Sequence, residues 1–332
     1  MTAAAGGSRW TKHLLLSPPL LFFAAFAVFP LAFTVYVSLS QWSITGAHRF
    51  IGFANYTALA SSSTFRTSFL NTVLFAIVTV AFQYALGLAL AVLVYRSTRG
   101  QSGLRLMFLI PMMFTPVVVG FVWRTLFDPG YGPIDDVLTK LGLPAVPWLS
   151  ERWPAVSAIM IADIWQWTPF IFLILFAALR SLPTAPMEAA VVDGASGWRL
   201  FWDHLMPMLL PASMTAILLR SIEAFKLFDV VYLMTGGGPG VDTATVTLTA
   251  YFTGLRSGDL GSAAAMTLVL LVTVLLATTL LLRLLVRAGR RRTRPVAEET
   301  VRRDDIAGTV DVVEAAVPVG VAPGNQQGAG DA

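Results

Sequence analysis

Residues 14–47 read LLLSPPLLFFAAFAVFPLAFTVYVSLSQWSITGA, and residues 67–95 read TSFLNTVLFAIVTVAFQYALGLALAVLVY. Neither run holds an Asp, Glu, Lys or Arg. A helix that crosses a bilayer needs about 20 mostly apolar residues, and each run supplies more. The whole chain agrees: of 332 residues, 56% are hydrophobic and 13% charged, with mean hydropathy +0.70, whereas soluble domains average about 25% charged residues. A soluble enzyme and a disordered scaffold are both excluded. The chain is a polytopic membrane protein.

Six spans are predicted, at about residues 14–40, 69–95, 106–127, 155–179, 208–234 and 262–286. Long apolar helices satisfy their own backbone amides in lipid, and the period-2 alternation of a membrane barrel is absent. The fold class is therefore all-α, a six-span bundle within residues 1–294. Basic residues orient it. Arg9, Lys12, Arg96, Arg99, Arg105, Arg180 and Arg199 share one side with seven arginines between Arg287 and Arg303. The other side holds Arg49, Arg66, Lys140, Arg152 and Arg256. The richer side is expected to be cytoplasmic, with both termini inside. Arg290-Arg291-Arg292 directly follows a span, so it reads as a topology anchor on anionic lipid rather than a nucleic-acid patch. From 295 to 332 the periodicity stops, and a disordered cytoplasmic tail is expected.

The chemistry of an enzyme is missing. There is no cysteine, and His13, His48 and His204 are too dispersed in sequence to suggest a metal cluster. No phosphate-binding Gly-x-x-x-x-Gly-Lys occurs, and Gly194-Ala195-Ser196-Gly197 lacks the closing Gly of a nucleophile elbow. No catalytic residue, metal or cofactor is expected.

Residues 182–211, LPTAPMEAAVVDGASGWRLFWDHLMPMLLP, carry the most information. Pro186 suits a first helical turn, and Glu188 lies near the positive end of that helix. Ala189 and Ala190 allow close approach by another backbone. Asp193-Gly194 ends the helix, with Gly able to take the left-handed conformation. A second short helix is expected from about Trp198 to Leu205, its apolar stripe formed by Trp198, Phe201, Trp202 and Leu205. Pro207 and Pro211 then lead into span five. The spacing of Glu-Ala-Ala, Asp-Gly and Pro-x-x-x-Pro resembles the EAA loop of ABC importer permeases, with His204 and Met206 replacing the family's usual residues. The resemblance implies that 182–207 is a coupling loop docking into a cytoplasmic ATPase through Glu188, Ala189, Ala190, Asp193 and Gly194.

Three further segments narrow the resemblance: MFLIPMMFTPVVVGFVWRTLFDPGYG at 107–132, DIWQWTPF at 163–170, and RSIEAFKLFDVVYLMTGGGPG at 220–240. Each is similar to segments of carbohydrate-uptake permeases related to the maltose and glycerol-phosphate transporters. With the EAA loop, the match covers about residues 10–290. It implies a permease subunit of an ATP-driven sugar importer in a bacterial cytoplasmic membrane. A second permease subunit, two cytoplasmic ATPase subunits, an external sugar-binding protein and a sugar or polyol substrate are implied with it.

Span five carries Arg220, Glu223, Lys226 and Asp229. Charges near a bilayer centre cost about 2.5–3.5 kcal/mol each and usually mark function. Along one helix each faces its successor, so Glu223 is the preferred pathway residue with Arg220 its partner. A structural ladder and direct sugar contact both fit. Trp165, Gln166 and Trp167 suit a sugar site, with aromatic faces and few polar groups, although Trp also anchors spans at interfaces. Gly236-Gly237-Gly238-Pro239 fits either a binding-protein contact or a plain turn. The rival class is a self-sufficient carrier driven by an ion gradient through Glu223 or Asp163. It lacks the inverted repeat that many carriers show.

Overall fold

A computed structural model of the chain describes residues 17–46, 48–96 and 101–314. Arg9, Lys12 and Arg99 of the orientation argument, and 315–332 of the expected tail, lie outside the described residues. The chain divides into two compact units, 1–282 and 283–332. Helix α1 is Ser17–Ser38, followed by a hairpin of β1 (Ser40–Trp42) and β2 (His48–Phe50), with Gln41 opposite Arg49. Then come α2 (Ala54–Ser61), α3 (Ser63–Arg96), α4 (Gln101–Met113), α5 (Pro116–Leu126) and α6 (Pro133–Lys140). Helices α7 (Arg152–Ser181) and α8 (Ala185–Val192) precede α9 (Gly197–Ala224). The chain continues through α10 (Asp229–Met234), α11 (Val246–Tyr251) and α12 (Leu260–Glu314).

Among the described residues, five helices are long and apolar enough to cross a membrane: α1, α3, α7, α9 and the Leu260–Arg287 part of α12. The expected third span is not straight. It is the pair α4 and α5, bent by 93°, and it brings the count to six only if the pair is one span. Pro116 supplies the reason, because the residue before proline is pushed out of the helical region. Thr115 accordingly sits at φ −68°, ψ 148°. Span five differs too. The helix ends at Ala224 and restarts at Asp229. The tail expectation also needs correcting over 295–314, where the backbone continues as helix α12.

The centre of the first unit is α3 packed on α7, and it holds the fully buried Phe172, Leu175 and Ile171. One apolar cluster, with Phe75, Val119, Ile159, Val231 and Leu248, joins α3, α5, α7, α10 and α11. Another, with Ala91, Val94, Phe176, Leu179 and Leu209, joins α3, α7 and α9 nearer to α8. Asn55 of α2 is buried and donates to the carbonyls of Ser38 (2.8 Å) and Ser40 (3.0 Å), which pins α2 to the start of the hairpin.

Gly87 sets the α3–α7 distance: a Cβ there would lie 2.9 Å from Ile171 Cγ2 and 3.0 Å from the Phe172 nitrogen. Gly87→Leu should lower the unfolding free energy by about 1–3 kcal/mol, the usual range for overpacking, read as a lower midpoint in detergent unfolding. Gly103→Leu is the control, since a Cβ there meets nothing within 4 Å, and it should leave the midpoint in place.

Candidate functional site

Helix α8 starts with Pro186 in its first turn, where the missing amide loses no bond, and Glu188 beside it. It ends in a complete Schellman motif. The Ala195 amide donates to Ala190 O (2.9 Å), the Gly194 amide to Val191 O (3.1 Å), and Gly194 takes φ +81°. One face of the element is anchored: Ala190 is buried, and Met187 and Phe201 pack on the α3–α7–α9 cluster. The other face is open. Val191, Val192 and Trp198 are exposed, as are Glu188, Ala189, Asp193 and Gly194. A soluble surface that leaves apolar groups grouped in this way usually meets a partner.

The segment after Gly194 is not a separate short helix. Gly197 opens a continuous 28-residue helix that becomes span five. Its turn at Leu200–Leu205 is wide, of the i to i+5 type. The widening falls where Pro207 lacks the amide that would bond Asp203 O. It also splits the predicted apolar stripe: Leu205 is buried and Phe201 is half-buried, while Trp198 and Trp202 stay exposed. The α8 element is thus joined through the turn at 193–196 to a helix that runs from Gly197 to Ala224.

Inside the bundle, Arg220 of α9 does not pair with Glu223. Its Nη2 meets Asp163 Oδ2 of α7 at 2.5 Å, and its Nε donates to Gln83 Oε1 of α3 at 2.8 Å. Gln83 Nε2 donates to Asp163 Oδ2 (2.9 Å) and to the Asp163 carbonyl (3.0 Å). All three are buried, and the guanidinium carbon also lies 5.4 Å over the Trp167 ring. Glu223 pairs instead with Lys226 at 2.7 Å, both more than half exposed. The continuous ladder fails because Asp163 and Gln83 of neighbouring helices take Arg220 away from Glu223.

The two helix breaks are each closed by a neighbour's side chain, as lipid requires. Gln166 Nε2 donates to Phe114 O at the α4–α5 bend (3.1 Å), and Thr245 Oγ1 donates to Leu227 O beyond the end of α9 (2.9 Å). Between them lies a small polar cavity of about 100 Å³ that brings together Gln166, Trp167, Arg220 and Glu223 with Asp163, Lys226 and Asp229. Trp165 is not among its walls; it points to Phe114 and Trp123. The chain just after the Gly236–Gly240 segment is tied to α3. Asn71 of α3 donates to Asp242 O (2.9 Å) and Ala244 O (3.1 Å), and Thr72 accepts from the Val246 amide (2.9 Å).

The family model described as "Binding-protein-dependent transport system inner membrane component" matches residues 83–292. The chain belongs to this family. It is a permease subunit of an ABC-type importer, and ATP hydrolysis resides on a separate subunit of such systems. The permease is 34% identical over 281 residues to the sulfoquinovosyl glycerol transport system permease protein SmoG of Agrobacterium fabrum, covering 84% of this chain and 91% of that one. It is also 34% identical over 261 residues to the trehalose/maltose transport system permease protein MalF of Thermococcus litoralis, covering 78% and 88%. In fold, it matches a chain of a bacterial ABC transporter that imports alginate at a TM-score of 0.73 with 21% identity, covering 86% of the permease and 96% of that chain.

Gln83 is the site residue that sequence reading missed. A scan for charges passes over it, yet Ser68, Asn71, Thr72, Thr79 and Gln83 fall on one face of α3 at helical spacing. That face is buried. Breaking a buried pair from one side costs about 3–5 kcal/mol because the other charge is stranded. Arg220→Met alone and Asp163→Leu alone should therefore each cut the yield and thermal midpoint of folded permease sharply. The double variant should recover much of the loss in a double-mutant cycle, and equal, additive losses would contradict the pairing.

Proposed function

We propose that this permease is one of two unlike transmembrane subunits of a bacterial inner-membrane importer for a sugar or polyol. Two ATPases would sit on the cytoplasmic side and a sugar-binding protein outside. The named relatives support the substrate class. The Arg-rich connections support an orientation with α8 in the cytoplasm. The observation that carries the coupling reading is the exposed, Schellman-capped α8 element, fixed to the bundle on one face and joined to α9 by the short turn at 193–196. Glu188, Ala189, Asp193 and Gly194 are the docking residues, with Val192 and Trp198 giving the ATPase an apolar seat, while buried Ala190 holds the element to the bundle.

Closure of the ATPases would push α8, and α9 carries that push to Arg220. Because Arg220 is tied to α3 and α7, the three helices would rock as one body. The cavity beside the helix breaks would then open alternately to each side, with Gln166, Trp167, Glu223 and Arg220 on the substrate path. Trp165 would act nearer the bend, through Phe114. No covalent step involves this chain. ATP must bind more tightly to one state than the other to drive the change. The exposed sides of α1 and α12 suit lipid and the second permease subunit. A gradient-driven carrier gives the α8 element no task, which disfavours that reading.

Gly194→Asp is the direct test. A side chain at φ +81° costs about 1–2 kcal/mol in the left-handed region, and the carboxylate would intrude on an apolar docking face. ATP-driven uptake in vesicles holding the full complex should fall by about tenfold or more, since each 1.4 kcal/mol is a factor of ten. The amount of assembled permease should hold. Uptake that runs on an ion gradient without ATP, unchanged by the substitution, would overturn the proposal.

A further inference from the structure

We infer that the cavity between the two helix breaks rejects negatively charged substrates, so that the permease passes an uncharged sugar or polyol. This deepens the pathway reading above and rests on it. The walls carry three carboxylates (Asp163, Glu223 and Asp229) and two cations (Arg220 and Lys226). Both cations are already engaged, Arg220 by Asp163 and Gln83 and Lys226 by Glu223. Asp229 has no ion-pair partner among the described residues. The lining is therefore net negative and offers no free cation.

Two wall residues also hold unpaired acceptors just beneath the cavity surface. Asp163 and Gln166 are each 1% exposed, and Asp163 Oδ1 and Gln166 Oε1 are buried without a hydrogen-bond partner. A buried acceptor left unpaired is costly, and a donor that reaches it recovers that loss. Hydroxyl groups are such donors. A phosphate, carboxylate or sulfonate brings only further acceptors and added negative charge to a lining that is already net negative. The volume of about 100 Å³ is well below the roughly 300–1,000 Å³ of pockets that enclose a whole ligand. It therefore admits one hydroxyl-bearing edge of a sugar ring at a time. An unpaired Arg or Lys would have given a site for an anion; here the protein's own carboxylates hold both.

The test uses the complete complex of both permeases and the ATPases in lipid nanodiscs, without the external binding protein. Equilibrium dialysis compares radiolabelled trehalose with trehalose 6-phosphate, which differ only in the phosphate. The phosphorylated probe should bind about tenfold more weakly, or worse, given charge repulsion at these distances. Glu223→Gln removes one carboxylate and frees Lys226. The side chain is more than half exposed, so folding is not at stake, and the ratio between the two probes should shrink severalfold. Equal binding of the two probes by the wild type overturns the inference, as does an unchanged ratio in Glu223→Gln. Retention of neither probe by a complex that still performs ATP-driven uptake would remove the cavity from the path. It would overturn the charge inference while leaving the α8 coupling intact.

Discussion

The ion pair of Arg220 with Asp163, completed by Gln83, is the constraint on which the rest of the bundle depends. Charges in hydrocarbon are tolerated when they pair and when their remaining hydrogen-bonding groups are met. Here one guanidinium reaches α7 and α3 at once. The residues around it place the knot at the seam of the core: Ala216 and Ala224 flank Arg220 in different apolar clusters, and Ala162 and Ile171 flank Asp163 in the same way. Lipid gives no hydrophobic drive for helix association, so a directional polar tie fixes what apolar packing alone leaves free to slide.

The same seam explains why the two interrupted spans are stable. Each break frees backbone groups that hydrocarbon cannot satisfy. Gln166 and Thr245 take up the carbonyls of Phe114 and Leu227. Asp163 and Gln166 lie three residues apart on one face of α7. One turn of helix thereby holds span five through Arg220 and the bent third span through Phe114. A polar cavity arises where these constraints meet, at the kind of interrupted helix that lines substrate paths in membranes.

Most of the architecture is legible in the chain itself. Runs without charge locate the spans, because the price of a charge in lipid filters the sequence so strongly. The α8 element is legible for a different reason: Pro186 and Gly194 have backbone roles that few other residues fill. What the sequence hides is partnership. Arg220 and Glu223 look like a pair by helical spacing, but Arg220 is buried against Asp163 and Gln83 on neighbouring helices while Glu223 lies exposed beside Lys226. Pro111 and Pro116 are visible as prolines inside a span, while the 93° bend depends on neighbours that accept the freed groups. Gln83 and Asn71 carry no charge and are silent in a hydropathy scan.

The central claim is that α3, α7 and α9 move together, tied at Arg220, when the α8 element is driven. The chain has no cysteine, so spin labels can be placed without background. Leu93 of α3 and Leu219 of α9 are both exposed on the bundle. Electron–electron resonance between labels at Leu93→Cys and Leu219→Cys, in the full complex, should give the same distance without nucleotide and with ATP trapped. A shift as large as a helical turn, about 5.4 Å, would show the helices sliding past one another and would contradict the account.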